Sequence, residues 1–92
     1  MKNGMHVDEY GHKGWYKNGL KHRVDGPAVI LANGDKWWFK NGKRHREDGP
    51  AIIFASGTKW WYLNGRCYSF DEWLNELDAS DEDKLFLKLK WV

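Results

Sequence analysis

Apolar residues occur in short runs: Val29-Ile30-Leu31, Trp37-Trp38-Phe39, Ile52-Ile53-Phe54 and Trp60-Trp61-Tyr62-Leu63. Between them lie polar stretches, each carrying Asn-Gly or Ser-Gly. These pairs stand at 18–19, 33–34, 41–42, 56–57 and 64–65, so their spacing alternates between 15 and 8 residues. Asn-Gly between apolar runs is a strong hairpin signal, because a type I′ turn needs positive φ at both central residues. The short spacing leaves a six-residue strand such as 35–40. The long one leaves a segment such as 43–55, which Asp48-Gly49-Pro50 must bulge or break, since proline donates nothing to a ladder. Two-residue turns throughout would pair Ile30 with Trp37, Val29 with Trp38, Ile53 with Trp60 and Ile52 with Trp61. Val29, Trp38, His45, Ile52 and Trp61 would then share one face. Ile30, Trp37 and Arg46 would share the other.

The pattern also returns on itself. Trp15-Tyr16-Lys17-Asn18-Gly19 through His22-Arg23-Val24-Asp25-Gly26-Pro27-Ala28 reappears 23 residues later, as Trp38-Phe39-Lys40-Asn41-Gly42 through His45-Arg46-Glu47-Asp48-Gly49-Pro50-Ala51. A third copy begins at Trp61 and breaks off. Tyr68-Ser69 stands where His-Arg is due, and Glu72-Trp73 where Gly-Pro is due. Such units stack on their neighbours to bury apolar surface, and the last is closed by a different element. Ser69-Phe70-Asp71-Glu72 reads as a capping box, and Phe70, Trp73, Leu74 and Leu77 follow at helical spacing. Ser80-Asp81-Glu82-Asp83 reads as a second helix start. Residues 84–92 fit an alternating strand or an i,i+4 helix, and Lys88 and Lys90 near their end favour the helix. The predicted fold is mainly β with a C-terminal α region: an antiparallel meander of β-hairpins over 5–68, capped by one or two short helices over 69–92. It forms one domain, with Phe70, Trp73, Leu74 and Leu77 packed on the face bearing Trp38 and Trp61.

Ninety-two residues are near the lower limit for a self-sufficient core. Aromatics, 16% of the chain and including seven Trp, compensate with large area per residue. A lone cysteine, Cys67, fits a reducing compartment. Residues 1–12 lack the apolar stretch of a signal peptide, and no run approaches the ~20 residues of a membrane span. A cytoplasmic protein is expected. The net charge of +2 hides an asymmetry. Residues 1–67 carry twelve Lys/Arg against six Asp/Glu, and 68–92 carry three against seven.

The His-Arg-x-Asp stretches invite an acid–base reading, but Asp-Gly-Pro is turn chemistry, and a duplicated pair would imply two equal active sites in a very small chain. The four histidines show no metal-ligand spacing, and no phosphate-binding glycine loop exists. No cofactor and no enzyme activity are expected. Lys40, Lys43, Arg44 and Arg46 beside Trp37 and Trp38 have the make-up of a single-strand-binding surface. The same Trp and Arg would also suit a nucleotide-like small ligand. Trp and Arg are equally the residues of protein-binding hot spots.

The phrase Trp-aromatic-x-Asn-Gly-x-x-His-Arg-x-Asp-Gly-Pro-Ala resembles a repeat of small phage-encoded and bacterial proteins. It is similar to the MORN repeat, which has the same period and a Gly-Lys-x-His stretch after its turn. Gly42-Lys43-Arg44-His45 matches that stretch, and Gly19-Leu20-Lys21-His22 does so in part. MORN repeats continue with Gly-x-Gly, whereas this chain has Arg46-Glu47-Asp48-Gly49-Pro50. The resemblance covers about residues 5–68. It implies a sheet of hairpins used for protein–protein contact, and by the phage link an inhibitor or modulator of a host protein inside the infected cell. A protein partner is therefore the first expectation, nucleic acid the second, with a homodimer formed through open sheet edges. If the tail covers the Trp38 face, the binding surface is the other one. It would carry Trp37, Trp60, Arg23 and Arg46, with Arg46 beside Trp37 as a cation–aromatic pair, and Lys43 and Arg44 close by.

Overall fold

The computed structural model describes residues 1–91, and within them the alternation of runs and turns becomes ten antiparallel strands followed by two helices. The strands are β1 (Gly4–Val7), β2 (Lys13–Lys17), β3 (Leu20–Lys21), β4 (Val29–Ile30), β5 (Lys36–Trp37), β6 (Phe39–Lys40), β7 (Lys43–Arg44), β8 (Ile52–Ile53), β9 (Lys59–Leu63) and β10 (Arg66–Tyr68). One sheet runs β1-β2-β4-β5-β8-β9-β10, with β3 paired to β2, while β6 and β7 form a separate hairpin. The molecule is elongated, 42 × 29 × 19 Å.

Two turn types alternate, and this moves the register by one residue from the sequence expectation. Asn18-Gly19, Asn41-Gly42 and Asn64-Gly65 have positive φ at both residues and close two-residue hairpins. At the other two turns only Gly34 and Gly57 are positive, at φ 99 and 93. Leu31 N–H donates to Asp35 O at 2.9 Å and Phe54 N–H to Thr58 O at 2.9 Å, so these loops hold three residues. A type I turn closed by a left-handed glycine is the usual three-residue hairpin. The extra residue pairs Val29 with Trp37 and Ile30 with Lys36, then Ile52 with Trp60 and Ile53 with Lys59. The pairings of Val29 with Trp38 and Ile52 with Trp61 are thereby corrected. A one-residue slip moves side chains to the opposite face. Gly14, Val29, Trp37, Ile52 and Trp60 now form one row across five strands.

Successive turns are bonded to one another. Asn41 N–H donates to His22 Nδ1 at 2.9 Å, and Asn64 N–H to His45 Nδ1 at 2.9 Å. At the start of the chain Asn3 Oδ1 takes the same role towards Asn18 N–H, at 2.9 Å. The three-residue loops do likewise: Ala32 N–H donates to His12 Nδ1 at 2.9 Å and Ala55 N–H to Asp35 Oδ1 at 2.6 Å. What these positions need is a lone pair aimed at the neighbouring turn, which imidazole, amide and carboxylate all supply.

Helix α1 (Phe70–Glu76) starts at the Ser69–Glu72 capping box. Helix α2 (Asp81–Trp91) starts with Asp83 N–H on Ser80 Oγ at 3.1 Å and ends with Lys88 and Lys90 in its last turn. The alternating pattern of 84–91 is therefore helical, and Val92 lies outside the described residues. Trp61, Trp73, Leu74, Leu77 and Leu87 make the largest buried cluster. Trp38 packs instead against Ala51, Ile52 and Tyr62. The tail thus plugs the end of the sheet at Trp61 and does not extend over Trp38. Leu85, Phe86 and Leu89 of α2 stay exposed. No helix among the described residues is long and apolar enough to cross a membrane.

Candidate functional site

Each His-Arg-x-Asp-Gly-Pro block is a loop organised around its arginine. The Arg23 guanidinium lies 3.9 Å from the centre of the Trp15 ring, and that of Arg46 lies 3.9 Å from Trp38. Arg23 Nε donates to Asp25 Oδ1 at 3.1 Å and Nη1 to Pro27 O at 3.1 Å. Arg46 repeats this with Asp48 at 2.8 Å and Pro50 O at 3.1 Å. The glycines keep this space open. A Cβ on Gly26 would stand 3.1 Å from Arg23 Cζ, and one on Gly49 would stand 2.8 Å from Arg46 Cζ. The motif is therefore a folding unit: an aromatic ring, a cation stacked on it, a carboxylate and a carbonyl that hold the cation's fork, and a glycine that makes room.

Ser69 occupies the position 23 residues after Arg46, so no third arginine reaches Trp61. The helices substitute for it. Trp73 packs on Trp61 at 4.7 Å between ring centres and Phe70 at 4.8 Å, while Trp91 meets it edge-on at 5.9 Å. Both tail tryptophans also bond to the second loop. Trp73 Nε1–H donates to Arg46 O at 2.9 Å and Trp91 Nε1–H to Asp48 O at 3.0 Å. Trp91 lies so close on Gly49 that a Cβ there would stand 2.6 Å from its ring.

One period earlier the corresponding space is open. A groove of about 650 Å³ runs between the two loops, walled by 22–27 on one side and 45–48 on the other and floored by Trp38, Phe39 and Lys40. Its charges balance, with Arg23, Lys40 and Arg46 against Asp25, Glu47 and Asp48. Both guanidinium forks are already engaged by carboxylates and carbonyls. His45 borders the groove with its side chain only 10% exposed, and its Nε2 is buried without a hydrogen-bond partner, 3.7 Å from Glu47 Oε1.

Burial lowers the pKa of His45, and Lys40 adds to this, while Glu47 pulls the other way. Protonating Nδ1 would also break its bond from Asn64 N–H. A depressed folded pKa means that the neutral ring stabilises the fold fully above the ordinary histidine value of 6.5, and that this contribution is lost as pH falls below it towards the folded value. The melting temperature should therefore drop between pH 7.5 and pH 5. His45→Asn, which keeps an acceptor but cannot titrate, should flatten that drop. An unchanged slope in the variant would assign the pH dependence to other groups.

The six residues read from the sequence as a binding surface are placed in three environments. Trp37 is half-buried between Val29 and Ile52, and Trp60, 47% exposed, packs edge-on against Phe54. Arg44 sits between the Trp37 and Tyr62 rings, 5.4 and 5.5 Å from their centres, with its Nε buried and unpartnered. Lys43 is exposed on β7, its stem against Gly65. Arg23 and Arg46 belong to the loops. The expected pair of Arg46 with Trp37 is corrected to Arg46 with Trp38 and Arg44 with Trp37. The reason is that Arg46 N–H bonds to Tyr62 O, which draws the chain away from the hairpin after His45. Cys67 is an exposed thiol on β10, and no group of three or more metal-ligating side chains converges among the described residues. The groove is not among the sequence expectations, although two loops of one motif a period apart, differing only at Val24 and Glu47 and with no third, are its signal in the sequence.

No family model, curated protein or solved structure matches the chain.

Proposed function

We propose that the chain is a non-enzymatic protein-binding module that takes its partner in the groove between the loops at 22–27 and 45–48. The observation that carries this reading is the difference between the two equivalent spaces: one is filled by the chain's own helical tail, and the other is open. A surface already used to hold a helical segment inside the molecule is suited to hold one from another molecule. The balanced charge and the occupied guanidinium forks leave little to grip a phosphate backbone. That favours protein over nucleic acid or a nucleotide. Lys40 and Lys43 are the exposed cations of the former basic cluster, while Arg44 and Arg46 are half-buried and held by rings and loop carbonyls. The MORN-like resemblance is consistent with this reading, and its phage link would make such a module an inhibitor or modulator of a host protein in the cytoplasm of an infected cell.

The test is photocrosslinking from inside the groove. Val24 is 92% exposed on the groove wall, so a benzophenone side chain there should leave the fold intact. In lysate from cells expressing the protein it should give a discrete protein adduct. The same group at Ser56, in a three-residue turn outside the groove, should not. Adducts that disappear on nuclease treatment, or that form equally at Ser56, would contradict the reading.

A further inference from the structure

The second loop shows what kind of side chain the first can hold. Trp73 takes the place of the missing arginine on Trp61, and in the first groove that place is already filled by Arg46 on Trp38. Trp91 does something else. It fills the space between the Arg46 loop and the Trp61 cluster, with its ring 5.4 Å from the Arg46 guanidinium, against Gly49, and with its indole N–H on the Asp48 carbonyl. The counterparts in the first groove are Arg23, Gly26 and the Asp25 carbonyl, facing Trp38. The Arg23 loop has the same internal geometry as the Arg46 loop, yet no donor among the described residues reaches the Asp25 carbonyl. His45 Nε2 is a second unpartnered polar atom at the same groove, on a side chain nine-tenths buried.

We propose that the groove is a seat for a single tryptophan presented by a partner protein, its ring lying on Arg23 and Gly26 and its indole N–H donated to the Asp25 carbonyl, as Trp91 does on the second loop. This rests on the protein-binding reading above and specifies the anchor. Indole suits the site on two counts. Its face stacks on a guanidinium, and its one donor must find an acceptor once buried. The volume exceeds one indole, so residues flanking the anchor would enter too. A charged anchor finds no net field in the groove, and an aliphatic one would leave the Asp25 carbonyl unsatisfied.

The probe is a synthetic peptide copying residues 81–91, which ends in the tryptophan that the second loop holds. It is added to the 15N-labelled full chain. The expected result is shifts in the amides of Arg23–Gly26 and in the Trp38 indole signal. They should vanish with a peptide carrying alanine for that tryptophan, and need about tenfold more peptide when it is 1-methyltryptophan, which lacks the N–H. Shifts confined to Arg46–Pro50 would mean that the peptide only displaces the chain's own tail. That outcome, an equal response to the alanine peptide, or no response overturns the proposal. So would shifts of the same groove amides by a single-stranded oligonucleotide. If a Val24 crosslink to protein persists while the indole is dispensable, the groove binds protein through another anchor and only this inference falls.

Discussion

Trp73→Ala should destabilise the chain by about 4 kcal/mol, the largest loss expected from any single substitution. Trp73 is fully buried, and its ring joins Trp61, Phe70, Leu74, Leu77 and Leu87. Truncating a buried Trp typically costs ~3–5 kcal/mol through lost transfer energy and the cavity left behind. Here the Arg46 carbonyl also loses its indole donor. For a chain of this size each kcal/mol lowers the melting temperature by roughly 4–8 °C, so a fall of 15 °C or more is expected. Trp73→Phe separates the two contributions. It keeps a ring on Trp61 and removes the N–H, and should cost roughly 1–3 kcal/mol. A Trp73→Ala protein that melts like the parent would show that α1 does not close the end of the sheet.

The second large effect is expected at Arg46. Its side chain is 13% exposed and makes three contacts at once: the Trp38 face, Asp48 and the Pro50 carbonyl. It also supports Trp91 from below. Hydrogen bonds to charged groups contribute about 1.5–3 kcal/mol and a desolvated cation–π contact up to about 2, though the two share one side chain and do not add fully. Arg46→Ala should cost about 3 kcal/mol. Arg46→Lys should recover little, because an ammonium can neither lie flat on the ring nor fork to both oxygens. Arg23→Ala is the internal control. Arg23 makes the same contacts but is 25% exposed and carries no tail tryptophan, so about half the loss is expected. Urea melts of the three variants decide it. Equal losses at 23 and 46 would mean that the tail adds nothing to the second loop.

Much of the architecture was legible because it rests on local chemistry. The Asn-Gly pairs specified hairpins, the break at Tyr68-Ser69 marked the end of the sheet, and Ser69-x-x-Glu72 located the start of α1. Register was not legible. Asn33-Gly34 and Asn41-Gly42 look alike, yet Asn33 keeps negative φ because Leu31 bonds across to Asp35, and a two-letter turn signal cannot distinguish loops of two and three residues. Face assignments inherit the register, so Val29 and Ile52 share a row with Trp37 and Trp60 rather than with Trp38 and Trp61. His22 and His45 were expected to be structural, but not how: each holds the next turn, a role visible only once Asn3, His12 and Asp35 are seen doing the same with other atoms. The groove needed three dimensions, although the missing third loop marked where to look.

The difference between the two loops is what separates scaffold from the proposed binding surface, and hydrogen exchange at the seven indole N–H groups reads it directly by NMR. Trp73, buried and bonded to the Arg46 carbonyl, should exchange slowest. Trp91, bonded to the Asp48 carbonyl, should exchange well below the rate of Trp60, which is half-exposed on the sheet. If Trp91 exchanges as fast as Trp60, the tail does not occupy the second loop, and the first groove loses the comparison that marks it as a seat.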